Sequence, residues 1–187
     1  MTETYPLESR EGLPEHLRVL AEKYPRDIWR GHGNFNELTA FWLDRHLMFR
    51  QVIDRIIGDT QAHLDGKAPR YGADLSRYTG FFLDQLHGHH TIEDDHYFPQ
   101  FQRFDPRMVE AFELLDRDHH ALDFHMNRLA ESTNDVLRGL QANQRAIDHA
   151  AQLLEVQEGF RGFLHRHLSD EEEVIVPVVL EYGAQMD

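Results

Sequence analysis

The sequence predicts an all-α protein, an antiparallel up-and-down four-helix bundle behind a short N-terminal extension. Three observations carry this. Four stretches place apolar residues at helical spacing, no stretch shows strand-like alternation, and no two-residue hairpin signal occurs. Four amphipathic helices joined by moderate loops bury their stripes most simply against one another. At 187 residues the chain is long enough for one domain with a real core.

Residues 1–35 form the extension, polar and marked by prolines, with room for one short helix over residues 14–23. The bundle occupies residues 36–187. Its first helix is expected from Glu37 to Ile57, with Leu38, Trp42, His46, Phe49, Ile53 and Ile56 on one face and a stop at Gly58-Asp59. A loop with Gly66, Pro69 and Gly72 follows. Asp74 is expected to cap the second helix, whose face reads Phe82, Leu86, His89 and Glu93 before Pro99 brings it towards an end. The third helix opens at Asp105-Pro106, an N-cap followed by proline at the first helical position. Its face carries Phe112, Leu115, His119, Leu122, Met126 and Leu129. Gly139 and Asn143 separate it from the fourth, with Leu153, Val156, Phe160, Phe163, Leu164, His167 and Glu171.

One motif occurs twice. His89 to Pro99 and His167 to Pro177 both read His-x3-Glu-x5-Pro, each with a Phe seven residues upstream, Phe82 and Phe160. Residues four apart share a helix face, so each copy offers an imidazole and a carboxylate to one point. In an up-down-up-down bundle the second and fourth helices run parallel, which sets the two pairs in a pseudo-twofold arrangement. A single copy would be weak evidence. Two copies on apolar faces are stronger, because a buried carboxylate is costly without a partner and a metal ion is an economical one.

His46 and His119 add an imidazole from each of the other helices. A lone histidine in an apolar stripe is most simply a hydrogen-bonded core residue; four, one per helix, strain that reading. His90 and Asp94 form a competing pair one residue out of register. The shared distance to Pro99 and Pro177 favours His89 and Glu93, leaving His90 as an additional or outer ligand. Asp123 lies one turn beyond His119, while His120 and His125 are rotated from it by roughly 100° and 240°. His96 lies near the ligand face and His165 points away from His167. His16, His32, His63 and His149 are assigned to solvent or minor packing. In the run Glu171-Glu172-Glu173, only Glu171 is expected to turn inward.

Composition narrows the rest. A formal charge of −14 opposes binding to nucleic acid or an anionic membrane surface. With no cysteine, thiolate zinc sites, iron–sulfur clusters and cysteine nucleophiles are excluded, so 14 histidines and the carboxylates must supply any ligands. There is no stretch of a membrane span's length and no secretory pattern at the N-terminus, and a cytoplasmic location is the expectation. The proposed ligands His46, His89, Glu93, His119, His167 and Glu171 are too many for one tetrahedral zinc. They suit two five- or six-coordinate ions bridged by carboxylates, iron first, with manganese or zinc as lesser candidates.

These residues resemble the hemerythrin-like, or HHE cation-binding, family. The likeness runs from about Phe35 to Gly183 and rests on His46-Leu47-Met48-Phe49-Arg50, His89-His90-x2-Glu93-Asp94 with Phe98-Pro99, Asp118-His119, and His167-x3-Glu171-Glu172-Glu173 with Pro177. The resemblance implies a four-helix bundle around a non-haem di-iron centre, with Glu93 and Glu171 bridging the ions. It implies proteins that bind dioxygen reversibly or sense oxygen, iron, nitric oxide or redox state. In the oxygen carriers the third helix gives two histidines one turn apart. Here the second position is Asp123, and the set is more similar to that of sensor-type members.

Three functions follow as expectations. The first is a binding protein in which Trp42, Phe49, Phe82, Phe112, Phe160 and Phe163 shield an iron pair that takes up dioxygen or a similar small ligand. The second is an enzyme reducing peroxide, oxygen or nitric oxide, or oxidising iron; Glu93-x2-His96 has the spacing of carboxylate di-iron enzymes, but no second Glu-x-x-His accompanies it. The third is a metal-gated structural or interaction module. The residues favour binding over catalysis and name no protein partner.

Overall fold

The computed structural model describes residues 5–142 and 146–185, and every regular element in them is helical. The α-helices are α1 (Glu37–Leu64), α2 (Tyr71–Ile92), α3 (Phe98–Phe101), α4 (Val109–Ala142) and α5 (Ala146–Tyr182). A π-helical turn, Glu93–Tyr97, joins α2 to α3, and short 3-10 turns occur at Glu15–Leu17, Arg26–Gly31, Pro106–Met108 and Gly183–Gln185. None of these helices is long and apolar enough to cross a membrane.

Local chemistry sets the ends. The Asn36 side chain accepts the Thr39 amide at 3.0 Å and so caps α1. That helix runs through Gly58, where a glycine was expected to stop it, and ends at Gly66. There the Lys67 amide bonds the Ala62 carbonyl at 2.8 Å and the Gly66 amide bonds that of His63 at 2.9 Å, with Gly66 at φ 73°. This two-bond cap requires a left-handed residue, which glycine supplies without a Cβ clash. Helix α2 begins at Tyr71, earlier than Asp74, which falls within its first turn. Asp105 does cap the next segment, its side chain accepting the Arg107 amide at 3.0 Å, but a 3-10 turn precedes α4. Helix α4 passes through Gly139; Asn143 lies outside the described residues.

The chain divides into two compact units. One holds the residues up to Leu47, His90–His120 and those from His165 onward; the other holds Met48–His89 and Ala121–Leu164. The first has a core of Leu13, Leu17, Leu20, Trp42, Phe98, Phe101, Met108, Phe112, Leu115, Val174, Val178 and Val179 among others. The leader is therefore part of this unit. It forms a 3-10 turn at Glu15–Leu17, with three leucines buried, where a short helix over 14–23 was expected. In the second unit Phe82 makes edge-on contacts with Phe49 at 6.2 Å and Phe160 at 5.7 Å between ring centroids.

Candidate metal centre

Polar side chains with metal-ligand chemistry are concentrated in the buried interior. His46, Glu93, His167 and Glu171 are 0% exposed, and His89, His90 and His119 are buried too. Donor atoms lying within 4.8 Å of one another make two groups, His90 with His119 and His167, and His46 with His89, Glu93 and Glu171. All six residues expected as ligands fall in one group or the other. His90, which the spacing left as an additional or outer ligand, lies in the first. Asp123 is not brought to either: it is exposed, beside a recess that also touches Leu83, Asp84, His87 and Met126. One turn beyond His119 the inward position belongs to fully buried Leu122.

The two groups meet at carboxylates. Glu171 sets Oε1 3.3 Å from His46 Nε2 and Oε2 3.4 Å from His167 Nε2, so its two oxygens face imidazoles of different groups. Glu93 Oε2 lies 3.6 Å from His119 Nε2. Trp42 donates its indole N–H to Glu171 Oε1 at 2.6 Å and so orients that carboxylate.

A second ring of carboxylates stands behind the imidazoles. His46 Nδ1 lies 3.0 Å from Glu172, His119 Nδ1 2.7 Å from Asp94, and His167 Nδ1 3.4 Å from Asp118. A carboxylate accepts only, so each Nδ1 carries a proton and each Nε2 is the lone-pair atom when the ring is neutral. This is the arrangement by which metal-binding proteins fix the tautomer of a ligand histidine. His119 Nε2 and His167 Nε2 are buried and make no hydrogen bond. Buried polar atoms ordinarily have partners, so these donors fit a cation at the positions they share with Glu93 and Glu171.

Charge perturbation follows from the same packing. Burial, with Glu171 beside it, holds the Glu93 carboxyl well above the usual carboxylate range. Burial opposes charge on His167, but hydrogen bonds to Asp118 and Glu171 outweigh it and push the imidazole up to about 9. His46 is likewise raised against burial by Glu171 and Glu172. Burial wins at His119, which falls below its ordinary value despite Asp94.

Matched against protein-family models, residues 37–179 fit the hemerythrin HHE cation-binding domain. The chain belongs to that family. Comparison with curated proteins and with solved structures returns no match. The family accounts for a cation site built from histidine and glutamate, and the buried clusters supply it.

Sequence reasoning missed the outer carboxylates. Glu172 was assigned to a solvated face, yet it is 4% exposed, and Asp170 is 0% exposed. The signal that was available was the cluster of acids beside a ligand position; the arginines that make their burial affordable lie far away in sequence. His96 is exposed, within 3.2 Å of Gln100, so Glu93-x2-His96 does not converge on the cluster. Phe163 is half-buried and packs on His125 at 4.4 Å between centroids, whereas Trp42 and Phe112 are buried. Phe98, not singled out beforehand, stacks on His119 at 5.5 Å.

Proposed function

We propose that this chain is a non-haem di-iron protein that binds or senses dioxygen or a related small ligand, within the antiparallel four-helix bundle its sequence implies. Glu171 carries the reading: one buried carboxylate directs its two oxygens at imidazoles of two different donor groups. That is the disposition of a bridge between two ions. His46 and His89 would hold one iron, His90, His119 and His167 the other, with Glu93 and Glu171 spanning both.

Nitrogen and carboxylate donors in this number suit iron, with manganese or zinc as poorer occupants. The count leaves fewer protein donors on the ion beside His46 and His89, and a small ligand has room to join there. When bound, the iron pair supplies reducing electrons and that open coordination position. The chain's own residues prepare the place. Nδ1 hydrogen bonds to Glu172, Asp94 and Asp118 keep three imidazoles aimed and in one tautomer. Trp42 fixes Glu171, and Phe98 covers His119 against water.

Anaerobic loading with ferrous iron, followed by metal counting and absorption spectra before and after exposure to oxygen, tests this. Two irons per chain and a charge-transfer band that reverses when oxygen is removed are expected of a binder. The same stoichiometry with an irreversible band assigns the protein to sensing. Sustained turnover by catalytic amounts of protein would make it an enzyme. One zinc per chain, or no metal, overturns the dinuclear reading.

A further inference from the structure

The N-terminal leader reaches the carboxylates behind the ligand histidines. Arg10 has a side chain only 3% exposed, which is unusual for an arginine and demands partners. It forks onto Asp118, with Nη1 3.1 Å from Oδ1 and Nη2 against Oδ2, while Nε bonds Asp170 at 2.9 Å. Its remaining reach goes to the Tyr5 carbonyl at 2.8 Å. Asp118 is the carboxylate that faces His167 Nδ1. Further along, Arg26 Nη1 bonds Glu172 at 2.5 Å and its Nη2 bonds the Ser169 carbonyl at 3.0 Å. Glu172 is the carboxylate that faces His46 Nδ1.

Two leader arginines thus hold two of the three outer carboxylates. The packing of Leu13, Leu17 and Leu20 would seat the leader without them. A buried guanidinium aimed at an acid is a costly way to add adhesion, because desolvation offsets much of the attraction. What it does add is positive charge one hydrogen bond away from a ligand imidazole, in a fixed bidentate geometry. An unneutralised carboxylate on Nδ1 makes an imidazole a stronger donor and favours the more highly charged metal ion; a guanidinium on that carboxylate draws the charge back.

We propose that Arg10 and Arg26 are positioning residues for the metal centre, acting through Asp118 on His167 and through Glu172 on His46, so that the seated leader favours the ferrous pair. This rests on the metal reading given above. Asp94, behind His119, makes no printed contact with a leader arginine and leaves that imidazole outside the device.

The test compares the full chain with Arg10→Gln, Arg10→Lys and Arg26→Gln, and with Lys23→Ala, which loosens the leader at Glu181. Iron is counted first, ferrous affinity is measured by chelator competition, and the midpoint potential is read by mediated titration. Arg10→Gln is expected to weaken affinity about tenfold, the lower end of what loss of an outer-shell partner costs, and to move the potential negative. Arg26→Gln, whose side chain is 45% exposed in the native protein, moves it the same way and carries the test if Arg10→Gln does not fold. Arg10→Lys keeps a charge and restores most of the potential, while Lys23→Ala leaves affinity and potential alone. Wild-type affinity and potential in both glutamine variants, with wild type holding two irons, would overturn the leader's role alone. A wild-type protein that takes no metal would remove this proposal together with the functional reading.

Discussion

At Glu171 a single side chain decides how many ions the protein holds. Its oxygens lie 3.3 Å from His46 and 3.4 Å from His167, and no neighbouring residue can reproduce both approaches after truncation. Glu171→Ala should therefore lower iron content from two per chain to one or none, whereas Asp123→Ala, at an exposed site, should leave it unchanged. Elemental analysis of both variants after identical loading separates them. A level below the ligands, Asp94→Asn replaces the acceptor at 2.7 Å from His119 Nδ1 with an amide that can present N–H instead. Metal affinity should fall about 10- to 100-fold, as when other outer partners are lost; titration against a chelator of known affinity reads it. The ligand histidines were legible in the sequence because a spacing of four marks one helix face whatever surrounds it. The outer acids were not. Asp118, Asp170 and Glu172 are buried only because arginines from the leader meet them, and no local pattern couples Arg10 to a residue 108 or 160 positions away.

Helix boundaries show the same division between local and distant causes. Asn36 and Asp105 act as caps through side-chain bonds within three residues, and such bonds can be read from sequence. Gly58 misled because glycine is a poor helix former, yet α1 continues through it, and a Cβ there would meet no atom within 4 Å. Gly58→Ala should stabilise the protein by about 0.5–1 kcal/mol, through the unfolded chain's lost freedom and better helix propensity. Gly66→Ala should do the opposite, costing about 1–2 kcal/mol, because φ 73° presses a Cβ against the following carbonyl. Thermal unfolding of the metal-free protein checks both, at about 2–4 °C per kcal/mol for a chain of this size. Equal shifts of the two variants would mean that α1 does not end as described. The repeated proline was legible as punctuation but not in its effect. After Pro99's copy of the motif the chain makes a π turn, in which the Phe98 amide bonds the Glu93 carbonyl five residues back. Pro177 instead lies inside α5, which continues to Tyr182.

For the whole molecule, folding, protonation and metal loading draw on the same buried groups. In the metal-free protein His167 is held protonated up to about pH 9, above the value of about 6.5 expected in the unfolded chain. A folded value above the unfolded one means that this group's contribution is complete below about pH 6.5 and fades as pH rises through 9. Glu93, also raised, acts in the same direction: its neutral form suits the interior, and ionising it at higher pH without a cation costs stability. The metal-free protein should thus lose thermal stability between about pH 6.5 and 9, read from unfolding curves in buffers of matched ionic strength. Cation binding needs the lone pair of His167 Nε2 and an ionised Glu93, so loading must expel the protons these groups hold. At pH 7 iron or zinc addition in weak buffer should release at least one proton per chain, visible with an indicator dye, and ferrous affinity should climb towards pH 9. The loaded protein should then be more stable than the metal-free one by a margin that widens with pH, because binding to the folded state alone adds its free energy to folding. If proton release were absent and both forms shared one pH profile, the histidines and glutamates at the centre would not be the groups that take up the metal.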